Sequence, residues 1–190
     1  MRILLHACCG PCAAGPLTAL GEEGHGVDLL FYNPNVHPYR EYLHRLDALE
    51  VVARRLGAVL WAGETYDLEG WLAQAVRTQE RGRSRCEMCF RIRLEETARV
   101  AAAGGFDAFT TTLLGSPHQD QAVLRRVGEA AGRRFGANFW GRSFRPQFAA
   151  GRTLARRWGL YRQGYCGCIY SEAERYRGKP RKRAASSELV

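Results

Sequence analysis

The sequence has no long apolar run. No stretch approaches about 18 uncharged apolar residues, the length that a membrane-spanning helix needs. Residues 1–6 include an apolar run that is too short for the core of a signal peptide, and no small-residue cleavage site follows it. We therefore predict a cytoplasmic protein without a membrane partner.

Nucleotide-binding motifs are also missing. The glycines form neither G-x-G-x-x-G nor a P-loop, so no motif indicates dinucleotide or ATP binding. The sequence shows no internal repeat and no second domain. Its 190 residues are 46% hydrophobic and 25% charged, which is typical of one globular domain. We predict a single α/β catalytic domain over residues 1–178, followed by a disordered basic tail over residues 179–190.

Acidic residues are scarce in the C-terminal third. Residues 133–190 carry 14 Lys and Arg against 3 Asp and Glu, whereas residues 1–132 carry 14 against 16. Aromatic residues are interleaved with these arginines, and aromatic platforms beside cations are how unpaired bases are held. The pattern favours a polyanionic partner with a phosphate backbone. A basic surface that only keeps the protein in solution is the alternative.

Short apolar runs alternate with helical patterns along the chain. This order is typical of βαβ units, and it predicts a three-layer, doubly wound α/β fold with a mostly parallel sheet. The predicted strands are residues 2–7, 27–32, 58–62, 106–114 and 137–140. The predicted helices are residues 12–22, 39–56, 68–78, 89–103, 119–134 and 146–158. Ligands of such folds bind at the carboxyl ends of the strands, where the first cysteines lie.

Seven cysteines are the main chemical signal of the sequence. They fall into three groups: Cys8, Cys9 and Cys12; Cys86 and Cys89; Cys166 and Cys168. Structural disulfides are rare in the cytosol, so these thiols indicate metal binding or redox catalysis. Four thiolates are the usual complement of a 4Fe–4S cluster. A zinc site is the alternative, but one tetrahedral ion accommodates adjacent cysteines poorly, which favours the cluster.

Two further segments carry candidate chemistry. The motif Cys166-Gly167-Cys168 can close a small, strained and easily reduced disulfide, so it is predicted to shuttle electrons or to bind a second metal. Two inert buried thiols are the alternative. In the segment that follows the fourth strand, Ser116 is predicted to cap the next helix, and His118 or Asp120 to act as a general acid. A plain capping turn explains that segment equally well.

Together these residues resemble the QueH family, the cobalamin-independent epoxyqueuosine reductases. The resemblance extends over about residues 2–175 in the family's order. The matching blocks are LLHACCGPC at residues 4–12, YNPNVHP at 32–38, RCEMCFRIRL at 85–94, FTTTLLGSPH at 109–118 and GYCGCIYS at 164–171.

The resemblance implies a reaction and a cofactor. The epoxide of epoxyqueuosine, at the wobble position of tRNA, is reduced by two electrons to an alkene. The fold would be similar to adenine-nucleotide-hydrolase-like (HUP) domains, without ATP use. The 4Fe–4S cluster would be held by Cys8, Cys9, Cys86 and Cys89. Members of the family can place an adjacent mononuclear iron beside it, which Cys12 is near enough to join.

The resemblance also implies partners. Cys166 and Cys168 would form the redox-active pair, and an external electron donor would supply the electrons. The anticodon loop of tRNA would bind to the basic C-terminal third, where we expect Arg152, Arg156 and Arg157 to contact phosphates. Two other hypotheses remain open at this point: a thiol–disulfide oxidoreductase with a zinc site, and a non-enzymatic RNA-binding module with a structural metal.

Overall fold

The computed structural model describes residues 1–63 and 66–177. The predicted disordered tail, residues 179–190, lies outside the described residues. No helix in the described ranges is long and apolar enough to cross a membrane.

A parallel sheet of four strands forms the centre of the fold. Its strands are β1 (Arg2–His6), β2 (Gly26–Phe31), β3 (Leu60–Ala62) and β4 (Ala108–Thr111), in the order β3-β2-β1-β4. His6, the last residue of β1, pairs with Leu30 and Thr111 on its two neighbours. The carboxyl ends of β1, β2 and β4 therefore meet at one edge. The predicted α/β class with a parallel sheet is confirmed.

The predicted fifth strand is reduced to a single bridge. Phe139 lies parallel to Phe109 of β4, and the bridge is closed by two backbone hydrogen bonds of 2.8 Å. The fourth strand is shorter than predicted because the chain turns into a 3₁₀ helix at Thr112–Gly115. The hydroxyl of Thr111 caps that turn by accepting from the backbone N–H of Leu113.

The described residues form seven α-helices, and helices lie on both sides of the sheet. α1 packs against α2 and α6, and α4 packs against α5. The helices are α1 (Gly10–Glu22), α2 (Tyr39–Leu56), α3 (Leu68–Glu80), α4 (Arg85–Ala103), α5 (Gln121–Phe135), α6 (Arg145–Arg157) and α7 (Ile169–Tyr176). The sequence predicted the first six within a few residues and missed α7.

Two glycines bring α1 and α6 into close contact. A Cβ atom on Gly15 would lie 2.3 Å from the carbonyl oxygen of Gln147, and one on Gly151 would lie 3.0 Å from the backbone of Gly15 and Pro11. Only glycine allows this approach. Because α6 buries Gly151 and Ala155 against α1, its arginines stay on the exposed face.

Candidate active site

Three thiols meet where β1 ends. Cys8 follows the strand, Cys9 is the N-cap of α1, and Cys12 lies in the first turn of that helix. Their Sγ atoms all lie within 4.8 Å of one another. No other group of three or more His, Cys, Asp or Glu side chains in the described residues is as compact. The three thiols are therefore close enough to hold one metal ion.

The three thiols differ in their acidity. Contacts with the Cys12 and Cys9 thiols, together with the positive charge of Arg45, lower the pKa of Cys8 well below its ordinary value. The hydroxyl of Thr112, 3.5 Å from the Cys8 sulfur, acts in the same direction. Burial raises the pKa of Cys9, and the hydrogen bond with Cys8 raises the pKa of Cys12. Cys8 is thus the thiol of this group that ionises first.

The remaining four cysteines form a second group. Cys86 and Cys89 lie at the start of α4, which begins four residues earlier than predicted, and Cys168 is the N-cap of α7. Burial raises the pKa of Cys89 to about 11, and the charges of Cys166 and Cys168 act in the same direction. Burial and those same two charges also raise the pKa of Cys86, which is the exposed member of the C-x-x-C pair.

Cysteines lie at the N-terminal ends of three helices. α1, α4 and α7 each present the positive end of a helix dipole to thiols, and that end stabilises a thiolate. No two of the seven cysteines are joined by a disulfide in the structure. A disulfide between Cys166 and Cys168 stays a prediction.

Arg93 lies between His6 of β1 and Cys89 of α4. Its side chain is buried, and its Nε donates to the carbonyl oxygen of Cys89 at 3.1 Å. Burial is the larger effect on both neighbours: it lowers the pKa of His6 and raises that of Cys89. The positive charge of Arg93 lowers the pKa of both groups. Its Nη2 atom is buried without a hydrogen-bond partner, and the described residues offer Arg93 no carboxylate. A buried, uncompensated cation fits a site that holds an anionic group.

His6 is a core residue. Its Nδ1 lies 2.8 Å from the hydroxyl of Thr111, and its Nε2 lies 3.2 Å from the carbonyl oxygen of Tyr32. Because Tyr32 O can only accept, we assign the proton to Nε2, and Nδ1 then accepts from Thr111. Burial, followed by the charge of Arg93, lowers the pKa of His6 to about 4, so the ring is neutral near pH 7.

A cavity of about 900 Å³ opens onto part of the cysteine constellation. This volume lies in the upper part of the range for small-molecule sites, roughly 300–1,000 Å³. Five of the predicted site residues line it: Cys8, Cys12, Cys166, His118 and Arg152. The others are outside its lining: Cys9, Cys86, Cys89, Cys168, Asp120, Arg156 and Arg157.

Asp120 is the N-cap of α5. Its carboxylate accepts hydrogen bonds from the backbone N–H groups of Ala122 and Val123, both at 3.0 Å. The prediction that Ser116 caps this helix was wrong. Ser116 accepts from the backbone N–H of His118 instead, because it lies five residues before the helix begins. His118 is exposed and lines the cavity, whereas the side chain of Asp120 is already engaged.

The sequence analysis missed several residues that surround the thiols. Arg45 is buried, and it donates to Glu41 and to two carbonyl groups near Cys166. Its position offered a signal, since it falls on the apolar stripe of α2, three residues after Tyr42 and four before Leu49. Gln163 and Gln119 gave no such signal. Their side-chain amides donate to the sulfurs of Cys12 at 3.3 Å and Cys166 at 3.4 Å.

The fold and the site together define an α/β protein with a cysteine-rich site suited to metal or redox chemistry at the carboxyl edge of its sheet. The family model described as "Epoxyqueuosine reductase QueH" matches residues 3–174, and the chain belongs to this family. The resemblance noted from the sequence motifs is thereby confirmed.

Curated relatives agree with this assignment, and a solved structure shares the fold. The chain is 35% identical to epoxyqueuosine reductase QueH of Dehalococcoides mccartyi, over 94% of this chain and 96% of the relative. It is 33% identical to the protein of the same description from Thermotoga maritima, over 91% of both chains. A structure described as a predicted subunit of tRNA methyltransferase from Methanocaldococcus jannaschii matches with a TM-score of 0.52 and 16% identity, over 82% of this chain and 74% of that one. That likeness concerns the fold alone.

Proposed function

We propose that the chain reduces epoxyqueuosine in tRNA to queuosine. Membership of the epoxyqueuosine reductase family over residues 3–174 carries this proposal. In the reaction both C–O bonds of the epoxide break, an alkene forms, and the oxygen leaves as water. The change consumes two electrons and two protons. The family is named for this oxidoreductase chemistry, and it implies a tRNA substrate and a cytoplasmic location.

The cysteines of α1 and α4 are the proposed ligands of a 4Fe–4S cluster. We assign Cys8, Cys9, Cys86 and Cys89 to it, and the dipoles of two helices together with Arg93 favour the negative charge of such a group. Cys12 lies within 4.8 Å of Cys8 and Cys9, so an adjacent mononuclear iron would bind in this group. When bound, the cluster would supply electrons one at a time.

Cys166 and Cys168 are the proposed redox-active pair. Closing a disulfide between them releases two electrons and two protons, which equals what the epoxide needs. Cys166 lines the cavity, so the substrate can approach it, and the amide of Gln119 donates to its sulfur. An external electron donor then returns the pair to the dithiol state.

His118 is the proposed source of the proton that neutralises the developing alkoxide. It is exposed and lines the same cavity as Cys8, Cys12 and Cys166. A histidine side chain can act as a general acid, so it can donate a proton to oxygen and regain it from water. The exposed face of α6, with Arg152, Arg156 and Arg157, is the proposed contact for the anticodon stem.

One observation favours a second candidate. The compactness of the Cys8, Cys9 and Cys12 group also fits a single zinc ion, the arrangement of a thiol–disulfide oxidoreductase with a zinc site. This candidate predicts a colourless protein that contains zinc, no inorganic sulfide and no iron.

Anaerobic protein, reconstituted with iron and sulfide, tests the proposal. It is incubated with a chemical reductant and tRNA that carries epoxyqueuosine, and the nucleosides are analysed by mass spectrometry. We expect iron and sulfide in the protein and a modified nucleoside that has lost one oxygen atom. The matched controls are Cys166→Ser and Cys168→Ser, which should keep the iron and lose turnover. Zinc-loaded protein and unchanged epoxyqueuosine would contradict the proposal.

A further inference from the structure

Three arginines from different segments line the cavity. Arg152 lies on α6, Arg175 lies on α7, and Arg162 lies on the segment between these helices. Among the described residues, no Asp or Glu side chain lines the cavity with them. Within the described ranges, none of the three arginines takes part in an ion pair. All three are exposed, so they form a positively charged rim above the thiols.

Two amides that line the cavity are already engaged with cysteine sulfurs. The amide of Gln163 donates to the Cys12 sulfur, and that of Gln119 donates to the Cys166 sulfur. Arg162 and Arg175 have no hydrogen bond to any described residue, and Arg152 has only the ring of Phe148, at 5.9 Å from its guanidinium carbon. The rim therefore keeps its guanidinium donors available for a ligand that carries negative charge.

We propose that Arg152, Arg162 and Arg175 bind the backbone phosphates on either side of the modified nucleotide, which places its base above Cys8, Cys12 and Cys166. This inference rests on the proposed function. Guanidinium groups bind phosphate oxygens through paired hydrogen bonds, and such contacts fix the register of a nucleic acid without reading its sequence. Phe148, which lines the cavity beside Arg152, offers a surface on which a base can stack.

The rim differs from the other basic residues of α6. Arg156 and Arg157 lie in the last turn of the helix and outside the cavity lining. They can attract RNA from a distance, but they cannot hold a phosphate next to the thiols. The rim therefore positions the bound RNA, whereas the last turn of α6 attracts RNA over a longer distance.

Binding of synthetic anticodon stem-loops to the reconstituted protein tests the rim. One RNA carries epoxyqueuosine and natural phosphates, and two others carry a neutral methylphosphonate on one side or the other of the modified nucleotide. The variants are Arg162→Gln and Arg175→Gln. Arg133→Gln serves as the matched control, because Arg133 is exposed in the last turn of α5, outside the cavity, and its loss changes the net charge equally. Fluorescence anisotropy gives each affinity.

We expect Arg162→Gln and Arg175→Gln each to weaken binding of the natural stem-loop by roughly tenfold or more. Each variant should show no further loss on the stem-loop whose corresponding phosphate is already neutral. Losses of affinity equal to that of Arg133→Gln, or equal losses on all three RNAs, would overturn the proposal that the rim binds these phosphates. Nucleoside analysis of the wild-type reaction is read separately, so binding through the rim without formation of queuosine would count against the proposed function alone.

Discussion

Arg45 donates a hydrogen bond from Nη1 to the carbonyl oxygen of Cys166 at 2.8 Å, although 121 positions separate them in sequence. Its Nη2 donates to the carbonyl of Tyr165 at 2.9 Å, and its Nε donates to Glu41 at 2.7 Å. A single buried guanidinium thus holds the C-x-C segment against α2, while its charge lowers the pKa of Cys8. The two thiol groups share this one residue.

Replacing Arg45 by Met should destabilise the protein strongly. The change leaves Glu41 buried without its partner and leaves two carbonyl groups without donors. Breaking one side of a buried pair typically costs about 3–5 kcal/mol of unfolding free energy. Urea denaturation monitored by circular dichroism measures the loss. Arg40→Met, on an exposed position of the same helix, should change little.

The double variant Glu41→Gln with Arg45→Met separates two roles of Arg45: pairing with the Glu41 carboxylate and holding the C-x-C segment. It removes the unpaired carboxylate, so it should recover part of the stability lost in Arg45→Met. It should not recover the order of the C-x-C segment, which a faster rate of alkylation of Cys166 would report. Full stability in Arg45→Met would show that this network does not hold the segment.

The proposed cluster ligands can be separated from the redox pair by metal analysis. Ala substitutions at Cys8, Cys9, Cys86 and Cys89 should each lower bound iron and sulfide, because each removes one thiolate from the cluster. Cys166→Ala should retain both. If Cys86→Ala and Cys89→Ala kept full iron while Cys12→Ala lost it, the metal would belong to the compact group of three thiols instead.

Substitutions at Asp120 and His118 should affect different properties, stability for Asp120 and turnover for His118. Asp120→Asn keeps an N-cap, so it should preserve both stability and turnover, whereas Asp120→Ala should lose about 1 kcal/mol of stability. His118→Gln should lower turnover and leave stability unchanged, because the His118 side chain is exposed at the cavity. Thermal unfolding and single-turnover rates give the two readings. A loss of turnover in Asp120→Asn would instead support the Asp120 carboxyl group as the proton donor.

The close contact between α1 and α6 depends on Gly15, which has no side chain. Gly15→Ala places a methyl group 2.3 Å from a backbone oxygen, so α6 has to move, at a cost of about 1–3 kcal/mol. Gly21→Ala on the same helix meets no atom within 4 Å, so it should be neutral or stabilise by up to about 1 kcal/mol. Chemical denaturation of both variants makes the comparison. Equal stabilities would mean that α6 adjusts freely.

The arginines of α6 should control the salt dependence of tRNA binding. Reversing charge at Arg152, Arg156 or Arg157 removes a positive charge from the proposed RNA-binding face, so binding should weaken and the slope of affinity against salt concentration should decrease. Titrations of tRNA at several salt concentrations measure this slope. Arg54→Glu, in the exposed last turn of α2, controls for net charge. Identical slopes in all proteins would exclude α6 from the interface.

Periodicity predicted most of the fold because most elements bury one regular face. The bounds of α2 agree with the prediction, since its apolar stripe ends at Gly57, which adopts a left-handed conformation. α7 escaped notice because it spans 8 residues and buries none of them. The fourth strand was predicted too long because its threonines favour strands, yet the Thr111 hydroxyl caps a 3₁₀ turn. Local patterns therefore fail where a side-chain hydrogen bond decides the backbone.

The sequence placed Cys8, Cys9 and Cys12 in one group, and the structure agrees. Because Cys12 lies in the first turn of α1, its Sγ atom is within 4.8 Å of those of Cys8 and Cys9. The role of Arg45 at the C-x-C segment was not readable, because the carbonyl groups of Tyr165 and Cys166 lie far along the chain. Only the three-dimensional structure shows this contact, and only the structure shows that Arg93 is buried.

Arg93 has a consequence for how the protein matures. The described part of the polypeptide provides its buried Nη2 with no partner, so a negatively charged group held by the cysteines would stabilise it. If the proposed iron cofactor is that group, its binding and the free energy of unfolding are thermodynamically linked. In a cell short of iron, newly made chains should remain less stable, and proteases should remove them sooner.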